Sequence, residues 1–186
     1  HFARRFGRNR RFAGNCSGID QADCAAIDQP MYFSYFSPSC GLCVNDSFPE
    51  DSLVKTDVSP TCPNMVSSCN GGTLAGYQKW TYTKVITLPA QCADWNFIYG
   101  TCCRNISLTT ITNALNSRFG LGATLNNLTA PCNSSPSFTT RNIIYLCAGK
   151  QYCFNEGTVE PDGDSLVYSL TTPWNGSVWC NPPYSH

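Results

Sequence analysis

The stretch Gln91–Asn105, Q-C-A-D-W-N-F-I-Y-G-T-C-C-R-N, restricts the fold more than any other part of the chain. Trp95, Phe97 and Tyr99 alternate with Asp94, Asn96 and Ile98, a period of two that places the three rings on one face of a β-strand. Cys92 lies before this strand and Cys102 and Cys103 lie after it. The expectation is an aromatic strand fastened by sulfur, with Cys92 bonded to Cys102 or Cys103, at the centre of a disulfide-stapled β-domain.

Thirteen cysteines in 186 residues point to an oxidising compartment. They are Cys16, Cys24, Cys40, Cys43, Cys62, Cys69, Cys92, Cys102, Cys103, Cys132, Cys147, Cys153 and Cys180. Cys40-x-x-Cys43 is the one C-x-x-C, and the two histidines are terminal, so a closed zinc site lacks its four clustered ligands. No βαβ pattern surrounds Cys40–Cys43, which removes a thioredoxin-like reading. The spacing favours local bonds, Cys16–Cys24 and Cys62–Cys69 among at least five, although spacing alone does not fix connectivity. The count is odd, so at least one thiol stays single, pairs between chains or pairs outside this segment.

Charged residues make up 13% of the chain, about half the ~25% usual in globular proteins, and the formal net charge is zero. Nothing in that balance suits nucleic acid or an anionic membrane. The polar surface is built from Ser, Thr and Asn, which suits attached sugar. No apolar run approaches the ~20 residues of a membrane span. The chain opens at His1 without a signal peptide and reads as a mature or fragmentary piece of a secreted or cell-surface protein, extracellular in either case.

In chain order, residues 1–14 form a basic terminal arm with five of the eight arginines and Phe2, Phe6 and Phe12 interleaved. Its two readings are a docking arm for a partner and a loose terminus with a first strand near Arg10–Ala13. Residues 15–135 are expected to form a disulfide-rich β-sandwich domain, jelly-roll-like in type. Met31–Phe36 reads as a strand buried on much of both faces, P-S-C-G-L-C as a tight turn, and Val44–Thr61 as loop. Tyr77–Leu88 alternates cleanly, and the face with Trp80, Tyr82, Ile86 and Leu88 is the one to bury. Leu108, Ile111 and Leu115 have helical spacing, against a β-branched run at Thr109–Thr112; Leu121–Leu128 reads as strand. From Pro136 the pattern restarts, with strands expected at Phe138–Leu146, Lys150–Phe154, Asp164–Leu170 and Trp174–Cys180. Four strands fall short of the roughly seven of a complete sandwich, so residues 136–186 make an incomplete unit.

The run S-S-C-N-G-G-T-L-A-G-Y-Q-K-W-T-Y-T-K-V-I-T-L-P-A-Q-C-A-D-W-N-F-I-Y-G-T-C-C-R-N resembles the amino-terminal region of large secreted surface proteins of gliding bacteria. Many of those end in a type IX secretion or gliding-motility-associated C-terminal domain. A-P-C-N-S-S-P and G-D-S-L-V-Y-S-L are similar to the same family, and the resemblance covers roughly Cys16–Leu170. The chain departs from it in its arginine-rich start and in holding no sorting domain. Val159–Leu170 also resembles the D-x-D-G-D-x-L-x-Y signature of cadherin-like and immunoglobulin-like modules. That resemblance implies an Ig-like or cadherin-like second unit and offers Glu160, Asp162 and Asp164 as oxygen ligands for Ca²⁺, with no other cofactor implied. Glu160 stands where the signature has aspartate. The competing reading is a turn in which Gly163 takes positive φ and the carboxylates cap backbone amides.

Six glycosylation sequons open at Asn15, Asn45, Asn105, Asn127, Asn133 and Asn175, with Asn105, Asn127 and Asn133 expected to carry sugar first. Enzyme readings do poorly. Terminal histidines leave no imidazole to activate a nucleophile, no glycine-rich phosphate loop is present, and nothing sets two carboxylates across a cleft. The expected protein is an all-β, non-enzymatic structural subunit of an extracellular glycosylated filament or surface layer. Its main partner would be itself, through strand complementation between protomers. The alternative is a secreted adhesin or carbohydrate-binding module that uses aromatics such as Trp174 and Trp179.

Overall fold

A computed structural model describes residues 2–11, 31–74, 76–101, 109–140, 149–155, 157–172 and 174. The fold is all-β and antiparallel. The helical turns among the described residues are single 3-10 turns at Glu50–Ser52, Ser68–Asn70 and Ala114–Asn116. The helix weighed against the β-branched run does not form over the described residues from Thr109 on, where the chain makes one such turn, entered through Asn113 at φ 56°; Leu108 lies outside the described residues. The β-branched residues disfavour the α conformation, and a left-handed residue cannot continue one.

Compactness groups the chain into two units that interleave along the sequence. One comprises His1–Pro30, Pro49–Ile86 and Ser134–Ser165; the other comprises Met31–Phe48, Thr87–Asn133 and Leu166–His186.

The second of these holds the aromatic core. Its sheet contains β2 (Tyr32–Ser37), β3 (Leu42–Ser47), β6 (Trp95–Thr101) and β7 (Phe119–Leu125), in the order β3-β2-β6-β7. Trp95 is 0% and Phe97 2% exposed, and Tyr99 is buried with them, as the period-two pattern requires. Tyr35 of β2 stands opposite Phe97 in register, with ring centroids 6.0 Å apart, and its ring lies 5.9 Å from that of Trp95. Phe33 packs on Phe48 at 4.6 Å. Such offset and tilted pairs add to the area they bury. β2 is buried on both faces along most of its length, as its M-Y-F-S-Y-F sequence suggested. The turn between β2 and β3 is closed by the Gly41 amide donating to the Pro38 carbonyl, with Gly41 at φ +64°. β7 begins and ends earlier than Leu121–Leu128, because the Asn126 side-chain oxygen accepts from the Leu128 and Thr129 amides and turns the chain.

The other unit is built on β1 (Phe2–Arg11), β4 (Val54–Asp57) and β5 (Tyr77–Ile86), ordered β1-β5-β4. The basic arm is thus a ten-residue strand pairing with β5 from Phe2↔Ile86 to Arg11↔Tyr77. It begins well before the Arg10–Ala13 strand read from the sequence. On β5 the face with Tyr82 and Ile86 is buried and Val85 is exposed on the other, in agreement with the alternation. Tyr77 is also buried, against the pattern; its amide donates to Ser59 Oγ and its carbonyl accepts from Val58. Val44–Thr61, expected as loop, contains most of β3 and all of β4. Their polar residues hid them, since each is an edge strand with little to bury.

Among the described residues downstream of Asn133, two of the expected strands do not form. Ser137–Phe138 (β8) pairs with Thr158–Val159 (β9) for two residues. Lys150–Phe154 and Asp164–Leu170 are irregular. Positions 141–148 and those after Trp174 lie outside the described residues. Alternating composition makes a strand only where a neighbour supplies the ladder.

The disulfides correct the sequence reading. Cys92 is bonded to Cys40, with the Cα atoms 6.2 Å apart, and not to Cys102 or Cys103. β2 and β6 run antiparallel with Phe36 opposite Asn96, so the turn after β2 meets the residues before β6 at one end of the sheet. The two ends of a strand of β6's length lie roughly 20 Å apart, far beyond the ~7 Å limit of a disulfide, while Cys102 and Cys103 themselves lie outside the described residues. Cys43 is disulfide-bonded too. No bond joins Cys62 to Cys69, and Cys132 and Cys153 form none either, which leaves nine of the thirteen cysteines for at most four bonds within the chain, fewer than the five expected. A Cβ on Gly76 would lie 2.4 Å from Cys69 Sγ, so that sulfur is turned against the Gly76 backbone. Cys16–Cys24 lies outside the described residues.

In the chain-entropy model the Cys40–Cys92 bond, which closes a loop of sequence separation 52, is worth about 4 kcal/mol. The double substitution Cys40→Ser/Cys92→Ser is expected to lower urea-unfolding stability by about 2–4 kcal/mol. Cys62→Ser, at an exposed thiol, is expected to change it by less than about 0.5 kcal/mol. Equal losses from the two would contradict the connectivity.

Candidate functional site

β6 and β7 pair in a register that sets Asn96 opposite Thr124 and Ile98 opposite Gly122. Because strand residues alternate, these four occupy the face of the two strands opposite Trp95, Phe97 and Tyr99. Trp174 reaches that face. Its carbonyl accepts from the Gly120 amide at 3.1 Å, and its ring atom Cζ3 lies 3.7 Å from where a Gly122 Cβ would stand. Asn96, Phe97, Ile98, Gly122, Ala123, Thr124 and Trp174 enclose a cleft of about 370 Å³. Among the described residues its lining holds an indole, an aliphatic side chain, an amide and a hydroxyl, and no charged group. Asn96 Nδ2 donates to the Asp94 carbonyl at 2.7 Å, which fixes the plane of the amide. Trp179, the other tryptophan expected to take part, lies outside the described residues.

Two aspartates that the sequence reading did not single out organise the turns. Asp94, just before β6, accepts from the Ser37 hydroxyl, from Ser39 Oγ at 2.6 Å and from the Ser39 amide at 2.9 Å. The Ser37 and then the Ser39 hydroxyls hold its carboxyl below the usual range, against slight desolvation. Together with Cys40–Cys92 this ties the β2–β3 turn to the start of β6. Asp57, at the end of β4, accepts from the Ser59 amide at 2.9 Å, from the Ser59 and Ser67 hydroxyls, and from Asn70 Nδ2 at 2.6 Å. Desolvation works to raise its pKa, but the donors from Ser59, Ser67 and Asn70 together outweigh it and the pKa is lowered. The loop expected to be closed by Cys62–Cys69 is thus closed by a carboxylate. Gly72 belongs to the same loop: a Cβ there would lie 1.8 Å from the Val66 carbonyl oxygen. The only hint in the sequence is a pair of acidic residues near Ser-rich turns, a pattern too common to single out.

Glu160, Asp162 and Asp164 do converge, with carboxylate oxygens within 4.8 Å of one another. Glu160 Oε2 accepts from the Asp164 amide at 2.8 Å, Asp162 accepts from the Ser134 amide, and Gly163 takes φ +81°. The donor set matches a hard cation in kind but supplies three carboxylates where Ca²⁺ takes six to eight oxygens. Two of those carboxylates are already capping amides, the arrangement of the turn reading.

Of the sequons, Asn45 and Asn133 are exposed. Asn45 Oδ1 accepts from Ser34 Oγ. Asn127 differs: its Oδ1 accepts from the Cys92 amide at 2.8 Å and its Nδ2 donates to the Ala90 carbonyl at 3.2 Å. The nitrogen that would carry sugar is engaged in holding the turn before β6. Asn15, Asn105 and Asn175 lie outside the described residues. No helix among the described residues is long and apolar enough to cross a membrane. No protein family, curated protein or solved structure matches the chain.

Two measurements follow from this geometry. Asp57 and Asp94 have folded pKa values below their reference of 3.8, so their contribution is present above that pH and is lost as pH falls through the folded values. The urea midpoint is expected to be flat near neutrality and to drop below about pH 4. Asp57→Ala should cost about 1 kcal/mol at pH 7, given charged hydrogen bonds in contact with water, and should flatten that acid limb. In glycopeptide mapping of native material, Asn45 and Asn133 are expected to be occupied ahead of Asn127; full occupancy at Asn127 would show that its side chain does not hold the turn.

Proposed function

We propose that the chain is a non-enzymatic structural subunit of an extracellular, glycosylated filament or surface layer, assembled by strand complementation between protomers. The observation that carries this reading is the string Leu166–Leu170. Val167 is 92% and Leu170 104% exposed, Tyr168 is exposed beside them, and none belongs to a strand. A largely apolar string left in water is a cost that a neighbouring sheet edge would remove. β4 is such an edge: it pairs with β5 alone among the described strands, and its four residues are all exposed. Donation of the string to β4 of a neighbour adds ladder hydrogen bonds and covers alternate side chains. A head-to-tail contact of this kind that does not close on itself produces an open fibre.

The arginine-rich arm is a weaker donor than its composition suggested, since Phe2–Arg11 is already paired along β5. The resemblance to secreted surface proteins and the bonded cysteines support an extracellular place.

The test is assembly of the purified chain, followed by negative-stain microscopy and sedimentation. Val167→Asp/Leu170→Asp is expected to abolish sedimenting assemblies and leave circular dichroism unchanged, because both side chains are exposed. A parent chain that stays monomeric at its solubility limit would overturn the reading.

A further inference from the structure

We propose that the cleft beneath Trp174 on the outer face of β6–β7 is a binding site for a neutral pyranose, either a free hexose or the end residue of a neutral glycan. The inference goes beyond assembly and does not depend on it, because the cleft involves neither Leu166–Leu170 nor β4.

Three features select this ligand class. The first is the wall. Trp174 is anchored through its main chain at the Gly120 amide, so its position at the β7 edge does not require the indole to be buried, and the residue stays half-exposed. Gly122 places no side chain against the ring. Part of the indole faces the strip of sheet at Gly122 and lines the cleft there. The indole face is electron-rich and attracts the weakly positive C–H hydrogens that line one side of a pyranose ring. A purely apolar ligand would satisfy the ring but not the rest of the lining.

The second feature is the pair of polar groups. Asn96 and Thr124 are directly opposite in register, so their Cβ atoms are about 5 Å apart. With Asn96 Nδ2 committed to the Asp94 carbonyl, its Oδ1 is left as an oriented acceptor. The Thr124 hydroxyl both donates and accepts. An acceptor of fixed direction beside an adaptable hydroxyl suits the vicinal hydroxyls of a sugar.

The third is the absence of charge among the described residues of the lining. A phosphate, a sulfate or an acidic sugar would lose hydration with no cation to compensate it, and an amine would lack a carboxylate. The volume of about 370 Å³ sits at the small end of ligand pockets, with room for a mono- or disaccharide. A small ligand with one ring contact and few hydrogen bonds should bind weakly, with a Kd on the order of 1 mM.

The experiment is saturation-transfer difference NMR on the full chain, titrating D-glucose, D-galactose, D-mannose and N-acetylglucosamine, with sialic acid as the charged control. At least one neutral sugar is expected to receive saturation through its ring C–H protons, and sialic acid none. Trp174→Ala should weaken binding at least tenfold, and Trp174→Phe should restore part of it. Gly122→Leu fills the cleft against the indole while leaving Trp174 itself in place, and should also abolish binding, which covers the case in which Trp174→Ala fails to fold. Running the series on Val167→Asp/Leu170→Asp should give the same affinities whether or not the chain assembles. Absence of transfer to every neutral sugar, equal transfer to sialic acid, or binding that survives Gly122→Leu would each overturn the proposal.

Discussion

β6 is hydrogen-bonded on both sides, to β2 and to β7, and its Trp95, Phe97 and Tyr99 are the largest contribution to the buried aromatic face. Everything else in that unit is placed relative to this strand. β2 supplies Phe33 and Tyr35 to the same face, and β7 closes it with Leu125. Burial on the inner face is also what frees the outer one: with three rings fixing the strand, Asn96, Ile98, Gly122 and Thr124 need not pack to keep the sheet formed. A binding surface can then be laid on a rigid support at small cost in stability.

The aromatic strand was legible in the sequence because a period of two over large rings has one physical solution. The same reasoning contained the means to reject its own disulfide. If Trp95–Thr101 is extended, the cysteines at its two ends are farther apart than a disulfide can reach, so Cys92 had to find a partner from another strand. Cys40 lies in the turn of a strand that pairs antiparallel with β6, a neighbour that no local spacing rule reveals. The β5 face was legible for the same reason as β6. β3 and β4 were not, because edge strands with polar residues look like loop until their partners are known. Convergence of Glu160, Asp162 and Asp164 was foreseeable from their i, i+2, i+4 spacing around Gly163.

Half of the candidate cleft was visible and half was not. Trp174 stood out by type. Nothing in the sequence places it against β7, since the main-chain hydrogen bond from Gly120 that brings it there spans more than fifty residues. The Asp57 and Asp94 clusters were invisible for a related reason: serine hydroxyls and amides are common, and only the folded path brings several to one carboxylate. Lys150–Phe154 and Asp164–Leu170 show the converse. Their composition is that of strands, yet alternation states only what a segment would bury if a neighbour were present.

The loop closed by Asp57 has a further consequence, in chemical ageing. Asn70–Gly71 is the dipeptide at which asparagine most readily deamidates, since the unhindered glycine amide attacks the side-chain carbonyl and ammonia leaves. Here Asn70 Nδ2 is held 2.6 Å from an Asp57 oxygen, and Gly71 is committed to a left-handed conformation at φ +83°. Both restraints oppose the cyclic geometry that attack requires. A chain in which the conversion did occur would gain a second carboxylate facing Asp57, and like charges would push the loop open. The lifetime of this turn in solution is therefore set by the same carboxylate that shapes it, and peptide mass spectrometry of aged folded and unfolded protein would show the unfolded form deamidating first at Asn70.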